Sequence, residues 1–86
     1  MKIVKAAMKL KDGKVFSLDP PNRHGDVFNY ILNTTDIELD DLSFAVFGFL
    51  TDCGKFLNRK DSFLVAVNAK QIEDHEAKAL ISEDLW

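Results

Sequence analysis

The chain holds one cysteine, two prolines and four glycines in 86 residues. A lone Cys53 excludes an internal disulfide framework, and that usage fits a reducing, cytoplasmic setting. No apolar run approaches the roughly 20 residues that cross a bilayer, so no membrane contact is expected. The opening Met1-Lys2-Ile3-Val4-Lys5 is charged with no long apolar segment behind it, and does not read as a signal peptide. Repeats, linkers and low-complexity segments are absent from the sequence, so residues 1–86 read as a single domain.

What is present favours a small packed core. The apolar fraction is 47%, with seven Phe, which excludes a disordered chain. A net charge of −3 argues against non-specific nucleic-acid binding. The charge is also segregated. Residues 1–30 carry +3, residues 31–52 carry −5, residues 53–72 carry +3 and residues 73–86 carry −4. Either these segments pair in the fold, or the two basic ones form one patch with acidic neighbours.

The pattern predicts a small α+β fold: an antiparallel or mixed sheet with two helices packed on one face. Val4, Ala6, Met8 and Leu10 alternate with Lys5, Ala7, Lys9 and Lys11, the signature of a strand with one buried face. Asp12-Gly13 turns the chain, pairing 2–10 with 14–18 as a hairpin that Pro20-Pro21 ends. Asn22 is placed to cap a helix over 23–33, with Val27, Phe28, Ile31 and Leu32 on one face. The acidic stretch 33–41 reads as a loop with one helical turn capped by Thr35 or Asp36, and 42–50 as a central strand. Thr51-Asp52-Cys53-Gly54 turns, 55–57 returns as a short strand, and Asn58 caps a helix over 59–70. Residues 73–80 read as a short helix or irregular segment, and 81–86 as extended. Gly48 and Gly54 are expected to be backbone-critical.

Both helix starts break a local rule. A helix N-terminus carries partial positive charge and exposed N–H groups, which favours acids there. Here the first helix opens Asn22-Arg23-His24 and the second Asn58-Arg59-Lys60, a conflict of about 0.3–1 kcal/mol for each exposed base. If the two starts converge on an anion, the bases, dipoles and N–H groups act on it together. Otherwise the bases point to solvent or pair with Asp26 and Asp61. The ligand-binding set under the first reading is Arg23, His24, Thr51, Lys55, Arg59 and Trp86, Trp86 entering as a ring that folds back over the core or beside a site.

Other chemistry finds less support. His24, His75 and Cys53 have no metal-ligand spacing, so no metal and no cofactor is expected. His24 and Asp26 stand two apart and do not face each other on a helix. No catalytic nucleophile, base and orienter can be assembled. Phe44, Phe47, Phe49, Phe56 and Phe63 read as core rather than as a base-stacking platform.

Gly48-Phe49-Leu50-Thr51, then Gly54, Phe56, Arg59, Ala66 and Gln71, and the ending Ser82-Glu83-Asp84-Leu85-Trp86 together resemble a family of small proteins encoded by tailed bacteriophages and prophages. Arg23-His24 is similar to that family's Arg-His pair before the first helix. The chain departs from the pattern at Gly25, where many such proteins have a second His, and at Lys70-Gln71, where they have Gly-Gln. The resemblance implies a phage accessory protein acting on host defence, and it shares Arg23, His24, Thr51 and Arg59 with the set above.

Three functions follow as expectations. The first is a non-catalytic protein that binds a phosphorylated small molecule, such as a nucleotide signal of host defence. The second is an inhibitor or adaptor that engages a host protein through its acidic segments, 36–41 and 73–84. The third is a small hydrolase or transferase using His24 or the acidic tail. A homo-oligomer is compatible with each.

Overall fold

A computed structural model describes residues 1–74, 76 and 78–86. Among these the elements run β1 (Ile3–Lys9), β2 (Val15–Ser17), α1 (His24–Thr34), α2 (Leu39–Leu42), β3 (Val46–Thr51), β4 (Phe56–Asn58) and α3 (Arg59–Asn68), with a 3₁₀ turn at Ser82–Asp84. The strands form one antiparallel sheet in the order β2-β1-β3-β4. The two longer helices pack on one face of it, the α+β arrangement expected.

β1 is the spine of the core. Ala6, Met8 and Leu10 are buried on the helix side, as alternation requires. The pairing shifts between Ile3 and Lys5. That irregularity brings Ile3, rather than Val4, onto the buried side. Two clusters then lie side by side on this face. Ile3, Ala6, Phe49, Phe63, Ala66 and Leu80 pack beneath α3, and Met8, Leu10, Val27, Ile31 and Leu42 beneath α1. The core thus takes only Phe49 and Phe63 from the expected aromatic set. Phe44 is 65% and Phe47 37% exposed, and the Phe56 ring lies over Gly48.

Several boundaries move, each for a local reason. Asn22 does not cap α1. Its amide donates to the Asp19 carbonyl at 2.8 Å, closing the turn that follows β2, so Arg23 becomes the N-cap residue. The cap bond comes from the other direction, with the Arg23 N–H donating to the Asp26 carboxylate at 2.8 Å. The central strand begins at Val46 instead of 42, because Leu42 is the buried anchor of the helical turn α2. That turn starts after Glu38, not Thr35. Thr35 is spent at the other end of α1, where its hydroxyl donates to the Ile31 carbonyl at 2.7 Å. β4 lies one residue later than expected. The tail is not extended: the Ile81 N–H donates to the Asp84 carboxylate at 3.1 Å and the chain winds into the 3₁₀ turn. Asn58 does cap α3, accepting from the Asp61 N–H at 2.8 Å.

α3 stops at Asn68 rather than 70 in a Schellman ending. Gln71 N–H donates to the Ala66 carbonyl at 2.8 Å and Lys70 N–H to that of Val67 at 3.0 Å. Lys70 holds a left-handed φ of 59°. The Gln71 side chain then brackets Ile3, accepting from its N–H at 2.8 Å and donating to its carbonyl at 2.7 Å. It supplies a strand-like partner on the side of β1 that the short β2 does not reach.

Two glycines are constrained in different ways. A Cβ on Gly48 would lie 2.2 Å from the Leu57 carbonyl oxygen and 2.6 Å from the Phe56 ring. At Gly54 there is open space, but φ is 83°. Gly48→Ala is expected to lower stability by about 1–3 kcal/mol through overpacking. Gly54→Ala should lose about 1–2 kcal/mol through backbone strain. Thermal melts should show both, at about 4–8 °C per kcal/mol for a domain of this size. Conversely, Lys70→Gly should raise the melting temperature by a few degrees, because glycine adopts positive φ without a Cβ clash. A lower melting temperature would contradict the strain at Lys70.

Candidate functional site

The two helix starts meet around one ring, Phe47. β3 sends Phe47 toward the helices, between the first residue of α1 and the first residue of α3. The His24 ring stacks on it with centroids 5.5 Å apart, and the Arg59 guanidinium lies 5.3 Å from its centroid. His24 also meets Phe49 edge-on at 4.9 Å. It is 7% exposed, and its Nε2 lies 2.7 Å from the Gly48 carbonyl oxygen. A carbonyl can only accept, so Nε2 is the nitrogen that carries the proton.

That assignment leaves His24 Nδ1 buried with no hydrogen-bond partner among the described residues, and Arg59 Nε is in the same state. Burying such groups unpaired costs about 1–3 kcal/mol each. Burial pushes the His24 pKa below its ordinary 6.5. The Gly48 hydrogen bond opposes this, Arg59 adds to the depression and Glu83 opposes it.

The tail closes over the same corner. The Trp86 indole N–H donates to the Asn22 carbonyl at 2.8 Å, and Arg23 Nε donates to the main-chain oxygen of Trp86 at 2.7 Å, with Nη2 reaching the same atom. Leu80 N–H donates to the Arg59 carbonyl at 2.9 Å. Arg23, His24, Arg59 and Trp86 therefore gather at one corner of the molecule. Arg23 differs from the other two bases because its guanidinium is already engaged.

Thr51 and Lys55 are not part of this corner. They flank the β3–β4 turn, three residues along β3 from Gly48, a rise of about 10 Å. Thr51 is buried, and its hydroxyl lies 3.1 Å from Cys53 Sγ and accepts from the Lys55 N–H at 3.1 Å. These contacts shape the turn. Lys60 is exposed, and His75 lies outside the described residues. Phe47 and Glu83 were missed by sequence reasoning. The alternation along β3 carried the signal for Phe47. Glu83 had none, because its nearness to His24 comes from the tail folding back.

A separate groove of about 480 Å³ is lined by Leu10, Lys11, Asp12, Lys14, Ile37 and Asp41. It lies beyond the C-terminal end of α1, and its mixed charges single out no ligand. No helix among the described residues is long and apolar enough to cross a membrane.

A small antiparallel sheet backed by two helices, with the two helix starts brought together under a folded tail, defines the class of domain. A model of the phage T4 y16D protein family matches residues 2–86, and the chain belongs to that phage protein family. No curated protein and no solved structure matches it.

Folded His24 resists protonation more than unfolded His24 does. As pH falls below 6.5 toward the lowered folded-state value, the unfolded chain binds the proton first, so stability drops. The slope for one such group is at most about 1.4 kcal/mol per pH unit. Denaturant melts in phosphate-free buffer should show this decline in the wild type. His24→Gln should flatten it, whatever the variant's absolute stability.

Proposed function

We propose that this protein is a non-catalytic binder of a small phosphorylated molecule, taken up at the corner formed by Arg23, His24, Arg59 and Trp86. The observation that carries the reading is the pair of buried polar atoms, His24 Nδ1 and Arg59 Nε, left without partners among the described residues beside two helix starts. Native proteins pair nearly all such atoms. A ligand oxyanion would satisfy the guanidinium and use both helix N-termini. The Phe47 ring, still partly exposed between the two bases, offers an apolar surface for a base or other flat group. Within a phage family, the finer reading is a protein that sequesters a nucleotide signal of host defence in the host cytoplasm.

A protein–protein reading has one observation in its favour. Leu39 is 61% exposed and Phe44 65%, and they stand among the exposed acids Glu38, Asp40 and Asp41, an apolar surface with an acidic rim. An adaptor using that surface becomes the better reading if no anion binds.

Trp86 is the only tryptophan, so its fluorescence reports on the corner directly. A library of phosphate-bearing and carboxylate-bearing compounds should contain at least one binder of the wild-type protein. Arg59→Ala should weaken that binding about tenfold or more, since a charge-assisted hydrogen bond contributes about 1.5–3 kcal/mol, with stability nearly unchanged. Arg59→Lys should also bind less well, because an ammonium cannot reproduce the planar fork. Equal binding by all three proteins would remove Arg59 from the site. No binding to the wild type would remove the reading.

A further inference from the structure

The hydrogen bond on one side of the His24 ring dictates what the other side can do. Nε2 faces a carbonyl oxygen at 2.7 Å and must be a donor. In the neutral ring, Nδ1 is then a bare lone pair, an acceptor that repels an oxyanion. It becomes a donor only when the ring takes a second proton. Arg59 Nε is a donor in every state, since the guanidinium stays charged. Each of the two atoms is buried and has no hydrogen-bond partner among the described residues, and both side chains lie against Phe47.

We propose that the site binds its anion together with a proton, so that an oxyanion is held between Arg59 Nε–H and an imidazolium Nδ1–H of His24. The inference rests on the anion-binding reading above and adds to it a ligand class. The atoms balance simply: one proton leaves solvent and bonds to Nδ1, and no other bond forms or breaks. With the proton in place, the pocket presents two positive charges, from Arg59 and His24. Arg23 keeps its charge while bonded to the main-chain oxygen of Trp86, and the Glu83 carboxylate near His24 offsets one charge, so the net charge around the site stays at two. Two charges match the dianion of a terminal phosphate monoester better than the single charge of a phosphodiester or a carboxylate.

The charges facing His24 fit a ring that is neutral when the site is empty and charged when it is filled. Burial is the largest effect against protonation; the Gly48 bond favours it, Arg59 on α3 opposes it and Glu83 on the 3₁₀ turn favours it. β3 contributes Phe47, Phe49 and the Gly48 carbonyl. On α1, the Asp26 carboxylate is engaged by the Arg23 N–H. An anion placed between His24 and Arg59 offsets the Arg59 charge and favours the protonated ring.

The test uses the full chain and two probes that share a base and sugar: adenosine 5′-monophosphate, a terminal monoester, and adenosine 3′,5′-cyclic monophosphate, a diester. Calorimetric titration at pH 8, in two buffers of different ionisation enthalpy, reads the protons taken up on binding. At that pH the free monoester is already a dianion, so any uptake belongs to the protein. The expected result is uptake approaching one proton per monoester bound. Affinity should fall about tenfold for each pH unit above the bound-state His24 pKa. The diester should bind at least tenfold more weakly. His24→Gln should bind the monoester more weakly, with no proton uptake and no pH dependence above pH 7. The wild-type measurement decides without that variant. Monoester binding with no proton uptake, or diester binding as tight as monoester binding, overturns this inference and leaves the anion site standing. Failure of both adenosine probes, and of inorganic phosphate and pyrophosphate beside them, overturns both.

Discussion

The backbone at Gly48 is the constraint on which the rest of the corner depends. The absence of a side chain lets the Leu57 carbonyl and the Phe56 ring close to distances that a Cβ would forbid. That closeness holds β4 against β3, and β4 leads without a break into α3, so the position of Arg59 follows from it. The same residue's carbonyl oxygen receives His24 Nε2, which fixes the first residue of α1 from the other side. One glycine thus sets the spacing between two helix starts far apart in sequence.

A second constraint comes from the tail. The described residues of the tail after α3 add little regular structure, yet their bonds reach across the molecule. Gln71 completes an open side of β1, Leu80 fills the core beneath α3, and Trp86 bonds to Asn22 and receives Arg23. Each of these bonds replaces water on a group that the sheet or a helix end leaves unpaired. The tail therefore acts as a strap joining α3, β1 and the start of α1, and its last residue is held at the start of α1 by that role.

The parts of this design legible in the sequence are those governed by local periodicity. The alternation in 4–10, the Asp12-Gly13 turn and the apolar face of α1 each specify their element directly. Asn58 as a cap for α3 was equally readable. Where the structure departs, a non-local partner decides. Val4 yields the core position to Ile3 because the pairing with β3 shifts. Leu42 turns helical because a gap beneath α1 accepts it. Lys70 takes a left-handed conformation because Gln71 must reach Ile3. The candidate site shows the same division. Bases at helix starts are visible one by one, but that His24 and Arg59 share a ring, while Thr51 and Lys55 stand about 10 Å away, depends on strand register, which no local pattern encodes.

The two basic helix starts resolve their conflict with the dipole differently. Arg23 is an N-cap residue whose side chain leaves the helix end and donates to a main-chain oxygen on the tail. The α3 start has an acid of its own in Asp61 and a side-chain cap in Asn58, yet Arg59 remains turned inward over Phe47 with no partner for Nε among the described residues. Packing alone would be served as well by an apolar residue over that ring, with no buried donor to satisfy. His24 presents the same excess, since its Gly48 bond needs only one of its two nitrogens. Two buried polar atoms in one contact area, each unnecessary to the packing around it, are economically explained by a third group that both can bind. Nδ1 of a neutral ring and Nε of a guanidinium are unlike atoms, an acceptor and a donor, and one oxyanion can bind both only after a proton has made them alike.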